Sequence, residues 1–116
     1  MRLIVCGGRD YDDWVAIYAA LDRAHAKRPI TLLIHGACET GADKHAENWA
    51  KDREIPYLGV PAQWKKHGKR AGPLRNQKML DHTEPAGVVA FPGGSGTADM
   101  TRRARGAGLK VWEPCA

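Results

Sequence analysis

The chain has 116 residues, 43% of them hydrophobic and 27% charged, with a formal net charge of +5. That length suits one domain burying roughly two-thirds of its unfolded surface, and the composition is that of a globular protein, not a disordered or membrane-embedded one. The positive balance favours anionic partners such as nucleotides, phosphorylated metabolites and nucleic acids.

The first predicted strand, Leu3–Cys6, is too short to serve as the apolar core of a secretory leader. No apolar run approaches the roughly 18 residues of a membrane span, so no membrane partner is expected. The loop Gly7-Gly8-Arg9-Asp10 leads into a helix with Trp14, Ile17, Tyr18, Leu21 and Ala24 on its inward face. Ile30–Ile34 reads as the second strand. It runs into His35-Gly36-Ala37-Cys38-Glu39-Thr40-Gly41, where Thr40 and Asp43 have the spacing of a helix cap and its acidic reciprocal. Ala42, Ala46, Trp49 and Ala50 form the stripe of the second helix. The third strand, Ile55–Val60, is bounded by prolines. A basic connection from Ala62 to Gly72 follows, read as a loop, and Pro73 fits the first turn of a third helix running to about His82. The fourth strand, Gly87–Phe91, enters the loop Pro92-Gly93-Gly94-Ser95-Gly96-Thr97. A last helix from Thr97 to Ala107, with Met100, Ala104 and Ala107 inward, precedes a fifth strand, Leu109–Trp112.

Strands alternating with helices predict an α/β, three-layer Rossmann-like fold. Its five-stranded parallel sheet is expected in the order 3-2-1-4-5, with helices on both faces. Right-handed crossovers bring every strand-to-helix loop to one sheet edge, and ligands bind there at the switch in strand order. Three of those loops are glycine-rich, and the fourth is basic (Lys65, Lys66, Lys69, Arg70). Glycine allows close approach of a ligand to backbone N–H groups, and a helix start attracts anions. The candidate phosphate-binding residues are Gly7, Gly8, Arg9, Gly36, Gly41, Arg75, Asn76, Pro92, Gly93, Gly94, Ser95, Gly96 and Thr97. The loops match neither the dinucleotide fingerprint nor the P-loop, which disfavours NAD binding and ATP hydrolysis.

Asp10, Asp43 and Asp99 have a capping or helix-dipole reading beside any chemical one. Asn76 offers an amide to a base or ribose edge, and Trp64 either stacks on a base or anchors its loop. Cys6 and His35 end neighbouring strands, where packing outweighs a nucleophilic pair. His35, Cys38 and His45 match no strong zinc pattern, so no metal is expected. Three cysteines without a C-x-x-C pair suit a reducing, cytoplasmic setting.

Gly7-Gly8-Arg9-Asp10, His35-Gly36 with Gly41-Ala42-Asp43, Ala71-Gly72-Pro73 with Arg75-Asn76 and Met79, and the segment from Phe91 to Met100 together resemble the YspA/YpsA-related branch of the SLOG superfamily. That superfamily also holds the Smf/DprA DNA-uptake proteins and the Lonely-Guy phosphoribohydrolases. The resemblance spans essentially the whole chain and implies one SLOG-type Rossmann-like domain over residues 1–116. The implied partner is a nucleotide or nucleotide-derived small molecule, bound as by a sensor or regulatory module. A homodimer is carried over, no cofactor is implied, and nucleic acid is the lesser alternative.

Lonely-Guy enzymes cleave the N-glycosidic bond of nucleoside monophosphates and carry P-G-G-x-G-T-x-x-E with a separate Arg. Pro92, Gly93, Gly94, Gly96 and Thr97 match that motif, Arg75 takes the place of the Arg, and the Glu falls on Met100. Cleavage builds positive charge on the ribose, which a carboxylate stabilises and methionine does not. A catalytic reading therefore leans on Arg75 with Asp43 or Asp10.

Overall fold

The central strand explains the architecture. In the computed structural model, which describes residues 1–115, β1 (Arg2–Cys6) buries Leu3, Ile4 and Val5 without alternation. A strand covered on both faces needs apolar side chains at every position. Successive side chains point to opposite faces, and the core divides accordingly. Leu3 and Val5 join Ile17, Leu21, Leu33, Trp49 and Phe91 on one face, while Ile4 joins Ile34, Met79, Val88 and Met100 on the other. The helices α1 (Trp14–Lys27) and α2 (Gly41–Asp52) pack together over the first face. On the second lie α4 (Ala71–Thr83) and α5 (Ser95–Gly106).

Flanking β1 are β2 (Leu32–His35) and β4 (Gly87–Ala90), with Ile4 in register with both Ile34 and Val88. The outer strands β3 (Tyr57–Gly59) and β5 (Lys110–Trp112) complete a five-stranded parallel sheet in the order 3-2-1-4-5, as expected. Among the described residues, no helix is long and apolar enough to cross a membrane.

Polar contacts on Asp22 help tie α1 to α2. The buried indole of Trp49 donates to Asp22 Oδ1 at 2.9 Å, and the Arg53 guanidinium grips both Asp22 oxygens at 3.0 Å. The first cause of Asp22's lowered pKa is that Arg53 hydrogen bond, and the indole adds to it against the effect of burial.

Several local expectations change. The basic connection is helical: α3 (Trp64–His67) and a 3-10 turn (Gly68–Arg70) run directly into α4. Lysine and arginine are good helix formers, and Gly68 at φ +57° supplies the bend between the two turns. β3 is only three residues long, because the prolines beside it remove ladder donors. Trp14 is 53% exposed at the start of α1, edge-on to Tyr18, and is not a core residue. α5 begins at Ser95, two residues early, and Ala107 beyond its end is exposed. Asp13, and not Asp10, caps α1 by accepting from Ala16 N at 3.1 Å. Thr40 occupies the cap position of α2 but donates its hydroxyl to Arg9 O at 2.8 Å, so the predicted capping box with Asp43 does not form.

Candidate functional site

Three of the four strand-to-helix loops meet at Gly8. Its N–H donates to Pro92 O at 2.8 Å, and its carbonyl accepts from Tyr11 N and Ala42 N, each at 3.1 Å. One residue thus joins the loop after β1 to the starts of α2 and α5. The close approach depends on missing side chains. A Cβ on Gly7 would lie 2.6 Å from Ala42 Cβ, and one on Gly93 would lie 2.7 Å from Gly8 N and overlap Thr97 Oγ1. Gly41 has φ +70° and packs against the backbone of Gly8 and Arg9. These glycines are explained by loop packing. Gly94 and Gly96 are not: a Cβ on either would meet nothing within 4 Å.

Around this junction opens a cleft of about 690 Å³. Most of the predicted residues line it: Gly7, Gly8, Arg9, Asp10, Gly36, Asp43, Arg75, Asn76 and the segment Pro92 to Thr97. Gly41 lies behind the wall, under Gly8 and Arg9. Val5, Cys6, Tyr11, Cys38 and Met79 also line the cleft. Tyr11 stacks on Phe91 at 5.8 Å, and only its place directly after the first glycine loop signalled it in the sequence.

One side of the cleft is the start of α5. Gly94 caps the helix without a side chain, and Ala98 N is the first to find an intrahelical acceptor, Gly94 O at 3.1 Å. The N–H groups of Ser95, Gly96 and Thr97 therefore lack intrahelical partners, at the positive end of a three-turn helix.

The adjoining wall is polar and braced. Arg75 Nη1 donates to Gly36 O at 2.6 Å and to Val60 O at 3.4 Å, while Nε donates to Asn76 Oδ1 at 2.9 Å. Asn76 is buried and passes the brace onward, its amide donating to Gly96 O at 3.2 Å and Asp99 Oδ2 at 3.0 Å. Both ends of that amide are engaged within the protein, so Asn76 positions Arg75 and α5 rather than presenting a free edge. Burial acts to raise the Asp99 pKa. Hydrogen bonds from Asn76 and Arg103 and the charges of Arg103 and Arg102 outweigh it and hold the carboxyl below its ordinary value.

Asp43 stands on the same wall, buried to 8% exposure, with Oδ2 accepting from Cys38 N at 3.2 Å. Burial pushes its carboxyl up, against the Cys38 hydrogen bond and the charges of His35 and Arg75. Asp10 lies exposed at the rim. Burial, with the Asp43 charge, pushes the Cys6 thiol up to about 12, so it is no ready nucleophile. His35 Nδ1 accepts from Ala37 N at 2.9 Å, and Nε2 lies 3.2 Å from Glu47 Oε1 without hydrogen-bond geometry. Nδ1 ties the ring to its own loop, while the buried Nε2 finds no hydrogen-bond partner among the described residues.

Met100, expected to face inward, is fully buried in the second core cluster and lies outside the cleft lining. Lys65, Lys66, Lys69, Arg70 and Trp64 are exposed and do not line the cleft.

The model of the YspA, cpYpsA-related SLOG family matches residues 1–67. The chain belongs to this family. The matched part holds the first two glycine loops and Asp43, and the Pro92–Thr97 loop lies beyond it. A relative of this SLOG chain, the Gene 61 protein of Mycobacterium phage D29, is 35% identical over 118 residues, covering 95% of this chain and 93% of the phage protein. Among solved structures, the phosphoribosylglycinamide formyltransferase (purN) of Coxiella burnetii, in complex with CHES, is similar with a TM-score of 0.50 at 15% identity. That likeness covers 94% of this SLOG chain but 61% of the formyltransferase chain, and it shows a shared fold.

Proposed function

We propose that this protein binds a nucleotide or nucleotide-derived ligand in the cleft, with a phosphate at the start of α5, and acts as a sensor or regulatory module. The observation that carries the reading is the pairing of three N–H groups without helix partners with two glycines, Gly94 and Gly96, that packing does not require. Open glycines over a helix start suit the approach of an anion. The cleft volume, about 690 Å³, is within the range of small-molecule sites. Arg9 and Arg75 add positive charge along its lining.

The second reading is hydrolysis of the N-glycosidic bond of a nucleoside monophosphate. It is favoured by a buried carboxyl, Asp43, on the same wall as Arg75. The family motif's acid position does not support it, because residue 100 belongs to the core.

One experiment serves both. Titrate the purified protein calorimetrically with a panel of nucleoside 5′-monophosphates, and follow each mixture by chromatography for free base. Saturable binding without product supports the module. Product whose formation is abolished by Arg75→Ala makes the protein an enzyme, and no binding by any member of the panel removes both readings.

A further inference from the structure

We propose that the Asp43–Arg75 wall reads the sugar, so that the cleft takes a ribose phosphate with free vicinal hydroxyls and not its deoxy counterpart. The proposal rests on the phosphate reading above and goes on to name the ligand class.

Asp43 is held as an acceptor with spare capacity. Cys38 N–H fills one position on Oδ2. The Gly36 backbone also gives the carboxylate a hydrogen bond. Neither oxygen is among the sealed, unpartnered polar atoms, and the residue lines the cleft, so acceptor capacity remains for a ligand. A carboxylate this deeply buried has lost most of its water, so a hydrogen-bond donor brought by a ligand is strongly favoured there.

The Arg75 charge favours the ionised carboxyl, but the two side chains form no salt bridge. Gly36 lies between the two: a Cβ there would be 3.0 Å from Asp43 Oδ2 and would overlap the guanidinium. The guanidinium is instead pinned by Gly36 O, Val60 O and Asn76 Oδ1, which leaves Nη2 without an acceptor among the described residues. The wall therefore brings together two cleft-lining residues, Asp43 with acceptor capacity left and Arg75 with Nη2 left to donate. A hydroxyl group both donates and accepts, and a vicinal diol supplies two such groups side by side. A phosphate would suffer repulsion from Asp43 at this end, which leaves the start of α5 as its place.

The placement agrees. Gly8 hydrogen-bonds to Pro92 on one side and Ala42 on the other. That junction puts the loop before α5 and the start of α2, which carries Asp43, on the same cleft, so one ligand can meet both.

The test measures dissociation constants by calorimetry for inorganic phosphate, ribose 5-phosphate, AMP and 2′-deoxy-AMP. The proteins are the wild type, Asp43→Asn and Asp43→Glu, each checked for native circular dichroism. The wild type should prefer AMP to 2′-deoxy-AMP by roughly tenfold or more, the scale of one charge-assisted hydrogen bond. Asp43→Asn should lose about tenfold on AMP and ribose 5-phosphate while keeping the wild-type affinity for 2′-deoxy-AMP and inorganic phosphate. In that variant Cys38 N–H claims the amide oxygen and turns the NH₂ toward the ligand. Asp43→Glu, which keeps the charge but displaces it, should fall between. Equal wild-type affinity for AMP and 2′-deoxy-AMP overturns the sugar-reading role and leaves the phosphate site standing. A uniform loss across all four ligands in Asp43→Asn also overturns it, since that marks a general electrostatic effect. Failure of the wild type to bind any of the four removes the phosphate reading and this proposal with it.

Discussion

Replacing Asn76 by Ala should be among the most destabilising single changes near the cleft. The amide takes a hydrogen bond from Arg75 Nε at 2.9 Å and gives two, to Asp99 Oδ2 at 3.0 Å and Gly96 O at 3.2 Å. Two of the three involve a charged partner, worth about 1.5–3 kcal/mol each, and the neutral one about 1 kcal/mol. Asp99 keeps Arg102 and Arg103, and Arg75 keeps Gly36 O, which discounts the total to about 3 kcal/mol. For 116 residues at about 2.1 cal/mol/K each, that corresponds to a fall in Tm of about 12 °C. Thermal scans by far-ultraviolet circular dichroism measure it. Asn76→Asp keeps the shape but sets a second carboxylate against Asp99. It should be destabilised at pH 7 and recover toward acid pH, as one of the two carboxyls takes up a proton. A loss below about 4 °C in Asn76→Ala, or an Asn76→Asp protein as stable as wild type at pH 7, would refute the claim that this amide is the brace.

The glycines separate into two classes by measurement. Gly93→Ala should destabilise by about 2 kcal/mol or more, because its Cβ overlaps Thr97 Oγ1 and crowds Gly8 N, whereas Gly94→Ala should stay within about 0.5 kcal/mol of wild type by urea denaturation. If the phosphate reading holds, Gly94→Ala should nonetheless weaken nucleotide binding. Asp43→Asn should be at least as stable as wild type at pH 7. A carboxyl raised in the folded state binds protons more tightly than in the unfolded chain, so wild-type stability falls as pH rises from the unfolded value near 3.8 through the raised folded one. The amide does not titrate and escapes that fall, and an Asp43→Asn variant less stable than wild type by over about 1 kcal/mol at neutral pH contradicts this. Among the cysteines, exposed Cys115 should react first with iodoacetamide at mildly alkaline pH and Cys6 last, since burial and Asp43 hold the Cys6 thiol near 12. Mass spectrometry of timed digests gives the order, and early labelling of Cys6 counts against the buried floor.

The parallel sheet was legible because strands alternate with helices, and the apolar runs Leu3–Val5 and β4 suit strands covered on both faces. The cleft was legible through its glycines. The helical period placed Met100 inward, as the core cluster shows, where matching the motif's letters alone would set it in the cleft. Met100 is one helical step from Asp99, about 100° around the axis. That step separates a core side chain from one that meets Asn76, and a motif written in letters carries no such angle. The basic segment misled because charge marks solvent exposure, and Trp64–Arg70 is exposed while turning helically beside α4. Asn76 looked like a reader of ligand edges because its partners, Gly96 and Asp99, lie 20 and 23 residues away.

The Gly8 junction also constrains how this cleft can diversify. Its inner surface is backbone pressed against backbone, and nearly any side chain added at Gly7, Gly41 or Gly93 collides with a neighbouring loop. A lineage that drifts toward a different ligand therefore has little freedom there. Selectivity has to be rewritten at the rim and far wall, in Arg9, Asp10, Tyr11, Asp43 and Arg75, and in the open positions Gly94 and Gly96, where an added side chain meets only empty space. Descendants with altered preferences should carry their differences at those positions over an unchanged glycine floor.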